Sequence, residues 1–288
     1  MSVSFCGLDL RHRVINGSGT FDAIAAQRVF GDELYERFPF TAFVSKTITL
    51  APREGNPPPR LWEAQAGLIN SIGLPNKGLD RYLSEDLPQL AKLGVPLFTN
   101  VMGSTAQELS RLVEACAQFT QITAIELNVS CPNVKTGLDI GADPAQLQKL
   151  LSTLRPLTSK PLIVKLTPNA SDVPACAQAA ESAGADAVSL INTLRASALD
   201  PRRAPRASAR WLGGGSGGLS GAAIRPVALA QVAAVTERVE IPVIGMGGVQ
   251  TSRHAQDLID VGATLVAVGT ESFRDPTAAA RIALDLDK

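Results

Sequence analysis

The fold turns on residues 162–191, LIVKLTPNASDVPACAQAAESAGADAVSLI. It opens with an apolar run, LIVKL (162–166), and closes with another, AVSLI (187–191). Between them Ser171 is placed to cap the start of a helix and Gly184 to stop it. Both runs are mainly apolar rather than alternating, interrupted only by Lys165 and Ser189, and several of the chain's other runs are apolar throughout, as parallel strands buried on both faces should be. The stretch therefore predicts one strand–helix–strand unit. Working outward, RVING (13–17), AFVSK (42–46), LFTNV (97–101), AIELN (124–128), VIGMG (243–247) and LVAVG (265–269) have the same character. Helix punctuation lies between the runs. Asp143-Pro144-Ala145-Gln146 supplies an N-cap, a proline at the first helical position and a glutamine at the third. Asp275-Pro276 reads likewise, and Gly262 in DVGATLVAV repeats the place of Gly184 in ESAGADAV.

Eight such strands alternating with helices in about 250 residues predict an α/β (β/α)8 TIM barrel, with residues 1–288 as a single domain. A doubly wound open sheet is the rival, but no GxGxxG turn follows an early strand. Residues 4–9, SFCGLD, followed by RHR, predict a small hairpin closing the barrel floor. Two long connections interrupt the rhythm: a proline-rich one at 48–80 and an arginine- then glycine-rich one at 193–222. Such lengths predict functional or mobile loops at the C-terminal face.

Composition narrows the function. The 27 Lys and Arg balance the 27 Asp and Glu, which leaves no basic footprint for nucleic acid or an acidic membrane. No apolar run approaches the roughly 18 residues of a membrane span, and the N-terminus has no secretory pattern. A cytoplasmic location is the expectation. The four cysteines have no CxxC spacing, and the two histidines form no HxxxH or HxH pattern, so no metal site is expected.

In a barrel of this kind the C-terminal strand ends face the active site. Those ends carry Ser18-Gly19-Thr20, Lys46-Thr47, Asn100, Asn128, Lys165, Asn192-Thr193, Gly247-Gly248 and Gly269-Thr270. Two lysines and three asparagines converging on one mouth point to a site rather than to snorkelling side chains. The glycine pairs after the last two strands suit a phosphate group held by bare backbone N–H groups, with turn formation as the plainer alternative. GGLSGAAIRP (217–226) adds a third glycine loop, running into a helix start.

The segments VSKTITLAPREGNPPPRLWE, NSIGLPNKGLD, LNVSCPNVK, VSLINT, SGGLSG and IPVIGMGGV occur in order along nearly the whole chain. Together they resemble the dihydroorotate dehydrogenase family, and NVK, LINT and GMGG resemble its class I, B-type branch. The resemblance implies oxidation of dihydroorotate to orotate in pyrimidine biosynthesis on bound FMN. Cys131, in SCPN, would be the base that takes the C5 proton. Lys46, Asn70, Ser71, Ile72, Gly73, Leu74, Asn128, Asn133, Asn192 and Thr193 would bind substrate. Ser18, Lys46, Thr47, Asn100, Asn128, Lys165 and Ile191 would line the flavin. Gly221, Gly247, Gly248, Gly269 and Thr270 would wrap its phosphate. The branch further implies a partner subunit with FAD and a [2Fe–2S] cluster that passes electrons to NAD, around a homodimeric core of barrels.

Other readings use the same residues. A related FMN barrel reducing uracil also carries an SCP loop, although Asn133 after the proline favours the orotate side. A Schiff-base aldolase would use Lys165 but leave the asparagines unexplained. A non-catalytic flavin-binding scaffold would not need Cys131 and Lys46. The chain departs from the family pattern in DAIAAQRVFG (22–31) and in the basic stretch 200–218, and both bear on the final oxidant. Trp62 and Trp211 are expected to pack, and Cys6, Cys116 and Cys176 to be structural.

Overall fold

The computed structural model describes residues 2–129, 139–200 and 210–286. Its main sheet has eight parallel strands: Val14–Asn16, Phe43–Val44, Leu97–Val101, Ala124–Asn128, Leu162–Lys165, Ala187–Leu190, Val243–Met246 and Leu265–Val268. These are the eight runs read from the sequence, several of them trimmed at the ends. From the second onward each strand pairs with the next in chain order, and the eighth pairs with the first through Val266–Val14 and Val268–Asn16. The order is that of a barrel and rules out the doubly wound sheet.

The seam between strands one and two is closed largely by a side chain. Asn16 is fully buried; its Nδ2 donates to Val44 O at 2.7 Å, and its Oδ1 accepts from Val44 N at 2.8 Å. One backbone bond, Thr41 N to Val14 O at 3.0 Å, completes the junction. Asn16→Ala would strand both Val44 groups away from water. Each unmet buried group costs about 1–3 kcal/mol, so the variant should melt at least about 5 °C lower in a thermal scan. An unchanged melting temperature would show that the seam does not depend on this amide.

Alternate residues along each strand face in and out. Inward-facing Ile15, Phe98, Ala124, Ile163, Ala187, Ile244 and Leu265 form an inner cluster with Phe5 and Leu10. Phe5 and Leu10 come from the expected hairpin, Val3–Phe5 against Leu8–Leu10, and Phe5 stacks on Phe98 with ring centroids 5.9 Å apart. The floor is therefore plugged by apolar side chains. Outward-facing Ile125, Leu127, Leu162 and Val164 pack against helices through Leu112, Leu147 and Ala177.

Helix starts follow the sequence with one correction. Asp143 accepts from Ala145 N and Gln146 N, and Gln146 Nε2 returns to Asp143 Oδ2 at 3.1 Å. The helix Val173–Ser182 is capped by Asp172, not Ser171; Asp172 accepts from Ala175 N at 2.9 Å. Pro174 has no N–H to offer, so Ala175 is the donor and the cap lies three residues before it. The atypical segment 22–31 is an ordinary helix, Ala23–Phe30, capped by Asp22 and ended at Gly31.

The two long connections are not independent loops. Their strands Leu61–Ala64, Gly67–Asn70, Gly217–Ser220 and Leu194–Ala196 make one four-stranded antiparallel sheet above the barrel mouth. Trp62 and Trp211 meet edge to face on it, 5.4 Å between centroids, and Trp211 Nε1 donates to Leu61 O at 3.1 Å. Among the described residues no helix is long and apolar enough to cross a membrane.

Candidate active site

The C-terminal strand ends and the cap sheet enclose one cavity of about 560 Å³. That lies inside the range of small-molecule sites, roughly 300–1,000 Å³. At its floor stands Lys165, only 6% exposed, and its ammonium makes no hydrogen bond or ion pair with any described residue. A buried cation is costly unless something neutralises it, so the site favours an anionic or electron-rich ligand there.

Polar groups climb the walls from that floor. Ser18 Oγ donates to Ser45 O at 2.8 Å and lies 3.4 Å from Thr47 Oγ1, which in turn lies 3.4 Å from Asn128 Nδ2. On the opposite wall Asn192 Oδ1 accepts from Thr193 N at 2.9 Å. Lys46 is exposed to the cavity, but protein packed around its ammonium pushes its pKa below the ordinary lysine value. Asp22 opposes that shift and Arg60 adds to it. From the cap sheet Leu61, Leu68 and Asn70 complete the lining. Leu74, also at the cavity, holds φ at 56°, a left-handed backbone uncommon outside glycine and concentrated at functional sites.

One rim is built from backbone. Gly247 and Gly248 have φ of 133° and 70°. A Cβ on Gly248 would stand 2.7 Å from Arg225 Cβ and 2.9 Å from Gly221 O. Among the described residues no hydrogen bond uses the backbone N–H of Gly248, Gly269 or Thr270, while Thr270 Oγ1 donates to Ser220 Oγ at 2.8 Å. Convergent unused N–H groups form an anion cradle. A family model described as dihydroorotate dehydrogenase matches residues 1–288.

The chain belongs to the dihydroorotate dehydrogenase family.

Curated relatives extend the match. The catalytic subunit of dihydroorotate dehydrogenase B (NAD(+)) from Desulforudis audaxviator is 44% identical, covering 100% of this chain and 91% of its own. The protein of the same name from Pelobacter propionicus is 42% identical, covering 100% and 92%. A Solibacter usitatus protein with the provisional name dihydroorotate dehydrogenase A (fumarate) is 41% identical, covering 100% and 92%. Among solved structures, DHODH from Eimeria tenella in complex with ferulenol superposes with a TM-score of 0.78 at 21% identity, over 99% of this chain and 83% of that one.

Of the site residues expected for a dihydroorotate dehydrogenase, most meet at this cavity. Lys46, Asn70, Ile72, Gly73, Leu74, Asn128, Asn192 and Thr193 line it, as do Ser18, Thr47, Lys165, Ile191, Gly221, Gly247, Gly248, Gly269 and Thr270. Two do not. Ser71 is fully buried, and its Oγ donates to Ser216 O at 2.8 Å while its N–H donates to Arg60 O, so it fastens the cap sheet. Asn100 is fully buried one layer below the cavity, where its Nδ2 donates to Glu126 Oε2 at 2.5 Å. Cys131 and Asn133 lie outside the described residues. The chain on either side of them is joined, Gly141 N donating to Val129 O at 3.2 Å.

Sequence reading missed Leu61, Leu68, Ser220, Met246 and Phe273, which also line the cavity. The first three stand on the cap sheet, whose non-local pairing leaves no periodic signal. Met246 precedes a glycine pair that drew attention to itself. Glu126 was legible in principle, as a lone charge at an inward position of the strand AIELN.

Proposed function

We propose that this protein oxidises dihydroorotate to orotate on bound FMN, within the pathway to UMP. The carrying observation is Lys165, a buried cation with no partner among the described residues, set beneath a ring of amides in a chain of this family. The residues fit FMN: Lys165 would face the N1–O2 edge, where negative charge gathers on reduction, and the N–H groups of Gly248, Gly269 and Thr270 would receive the phosphate. When bound, FMN would supply the two-electron acceptor at its N5.

The chain's own groups do the rest. Lys46 would hold the substrate carboxylate through a charge-assisted bond. Asn70, Asn128 and Asn192 offer both donors and acceptors, which suits the alternating N–H and C=O groups of a pyrimidine dione. Cys131, carried over from the family motif, would take the C5 proton. The cap sheet lies over the mouth, and water displaced from beneath it by a bound substrate would strengthen each of these interactions.

The relatives' names divide over the oxidant between NAD(+) and fumarate. We assign NAD, reached through a partner subunit with FAD and a [2Fe–2S] cluster and from a dimeric barrel core in the cytoplasm, because the more similar relatives are named NAD-linked catalytic subunits. Anaerobic mixing of the FMN-loaded protein with dihydroorotate should bleach the yellow colour, and dihydrouracil should not. Failure of dihydroorotate to bleach it refutes the assignment.

The cradle has its own check. Gly248→Ala forces a side chain onto a left-handed backbone and into Arg225 and Gly221. Its FMN dissociation constant should rise by at least about tenfold in a fluorescence titration, a loss of about 1.4 kcal/mol. Unchanged affinity would remove the phosphate from this rim.

A further inference from the structure

A carboxylate lies one layer below the cavity and has no part in the chemistry so far. Glu126 is 2% exposed. Its Oε2 accepts from Asn100 Nδ2 at 2.5 Å and its Oε1 from Ser189 Oγ at 2.7 Å. Asn100 is its register partner on strand three, and Ser189 is the register partner of Lys165 on strand six. The Glu126–Ser189 bond therefore crosses strand five at the foot of Lys165. Yet Glu126 and Lys165 form no ion pair. Two neutral groups hold the carboxylate away from the cation.

The cost of this arrangement is visible on Asn100. Its Oδ1 is buried with no hydrogen-bond partner. Turning the amide over would set that oxygen against a carboxylate oxygen, so the NH2 end stays on the acid. The clamp is kept at the expense of an unmet acceptor.

We propose that Glu126 is a positioning residue: a negative charge, clamped by Asn100 and Ser189 below Lys165, that leaves the ammonium unpaired at the cavity while offsetting part of its field, and so sets the reduction potential of the flavin. The inference rests on the FMN reading above. Electrons added to the flavin place negative charge near Lys165; the ammonium favours that charge and the carboxylate beneath opposes it. Were the carboxylate free to swing upward and pair with Lys165, it would cancel the cation altogether.

Two substitutions should act in opposite directions. Glu126→Gln keeps the shape and removes the charge, and Asn100 can turn its unmet Oδ1 toward the new NH2. The FMN midpoint potential should move positive, by about tenfold in the reduction equilibrium, or about 30 mV for a two-electron couple. Ser189→Ala releases one carboxylate oxygen toward Lys165, and the potential should move negative. A merely structural role would shift both variants the same way. Potentials would be read by dye equilibration on the FMN-loaded proteins, independently of turnover. Shifts of opposite sign support the proposal; unchanged potentials, or shifts of one sign, overturn it. Should Glu126→Gln fail to fold, an unchanged Ser189→Ala potential overturns it alone. If the unsubstituted protein binds no FMN, the cofactor reading itself falls.

Discussion

Cys131→Ala should slow flavin reduction by dihydroorotate by at least about a thousandfold, within the range a positioned general base contributes, while FMN stays bound. The cavity residues assigned to FMN are described and none of them is Cys131, so cofactor content should not change. No other thiol can stand in. Burial, with Asp186 adding to it, pushes Cys6 up to about 12. Burial likewise pushes Cys116 up to about 12 and Cys176 up to about 11. Cys116 and Cys176 are fully buried on helices outside the barrel. A thiolate is the reactive form, so all three should resist alkylation at neutral pH. Iodoacetamide should modify one cysteine rapidly, and orotate should protect it. Cys131→Ser should be slow at neutral pH, because a hydroxyl is a poorer base. Anaerobic stopped-flow bleaching reads the rate; a normal rate in Cys131→Ala would end its assignment as base.

Much of this fold is local and was therefore legible. Most barrel strands are short, mainly apolar runs, several of them set between a helix stop and a helix cap, and LIVKL or AIELN announces itself without reference to the rest of the chain. Strand ends then follow by counting, which is why the sequence alone places Lys46, Asn128, Lys165 and Asn192 at one mouth. What stayed hidden depends on contacts between distant residues. Gly67–Asn70 pairs with Gly217–Ser220 across about 150 positions, and neither segment alternates strongly enough to declare itself a strand. That pairing makes two apparent loops a cap and ties the Ser71 hydroxyl into its hydrogen-bonding frame. Asn100 lies off the cavity lining for a different reason. Its strand runs one residue past it, to Val101, so it faces inward one layer below the mouth. Asn16 carries no local sign of its part in the seam, where its amide replaces a stretch of ladder.

Lys46→Met should weaken orotate binding by about 10- to 100-fold, since hydrogen bonds to charged groups contribute about 1.5–3 kcal/mol. The pH dependence follows from the depressed pKa of this lysine. Its ammonium is lost, as pH rises, before an ordinary lysine would lose one, whereas the ligand carboxylate is ionised throughout. Orotate affinity should therefore hold at neutral pH and fall on the alkaline side, below the usual lysine range. In Lys46→Met that alkaline limb should vanish. The ligand-free protein should respond in the opposite sense. Packing disfavours the ammonium in the empty site, and a group whose folded pKa is depressed opposes folding at pH values where the unfolded chain keeps it charged. Lys46→Met should then melt no lower than the parent without ligand, yet gain far less from added orotate. A destabilised empty protein with unchanged orotate affinity would make Lys46 a structural residue. The combination expected here, neutral or better stability with lost binding, is that of a cation held where its ligand needs it rather than where the fold prefers it.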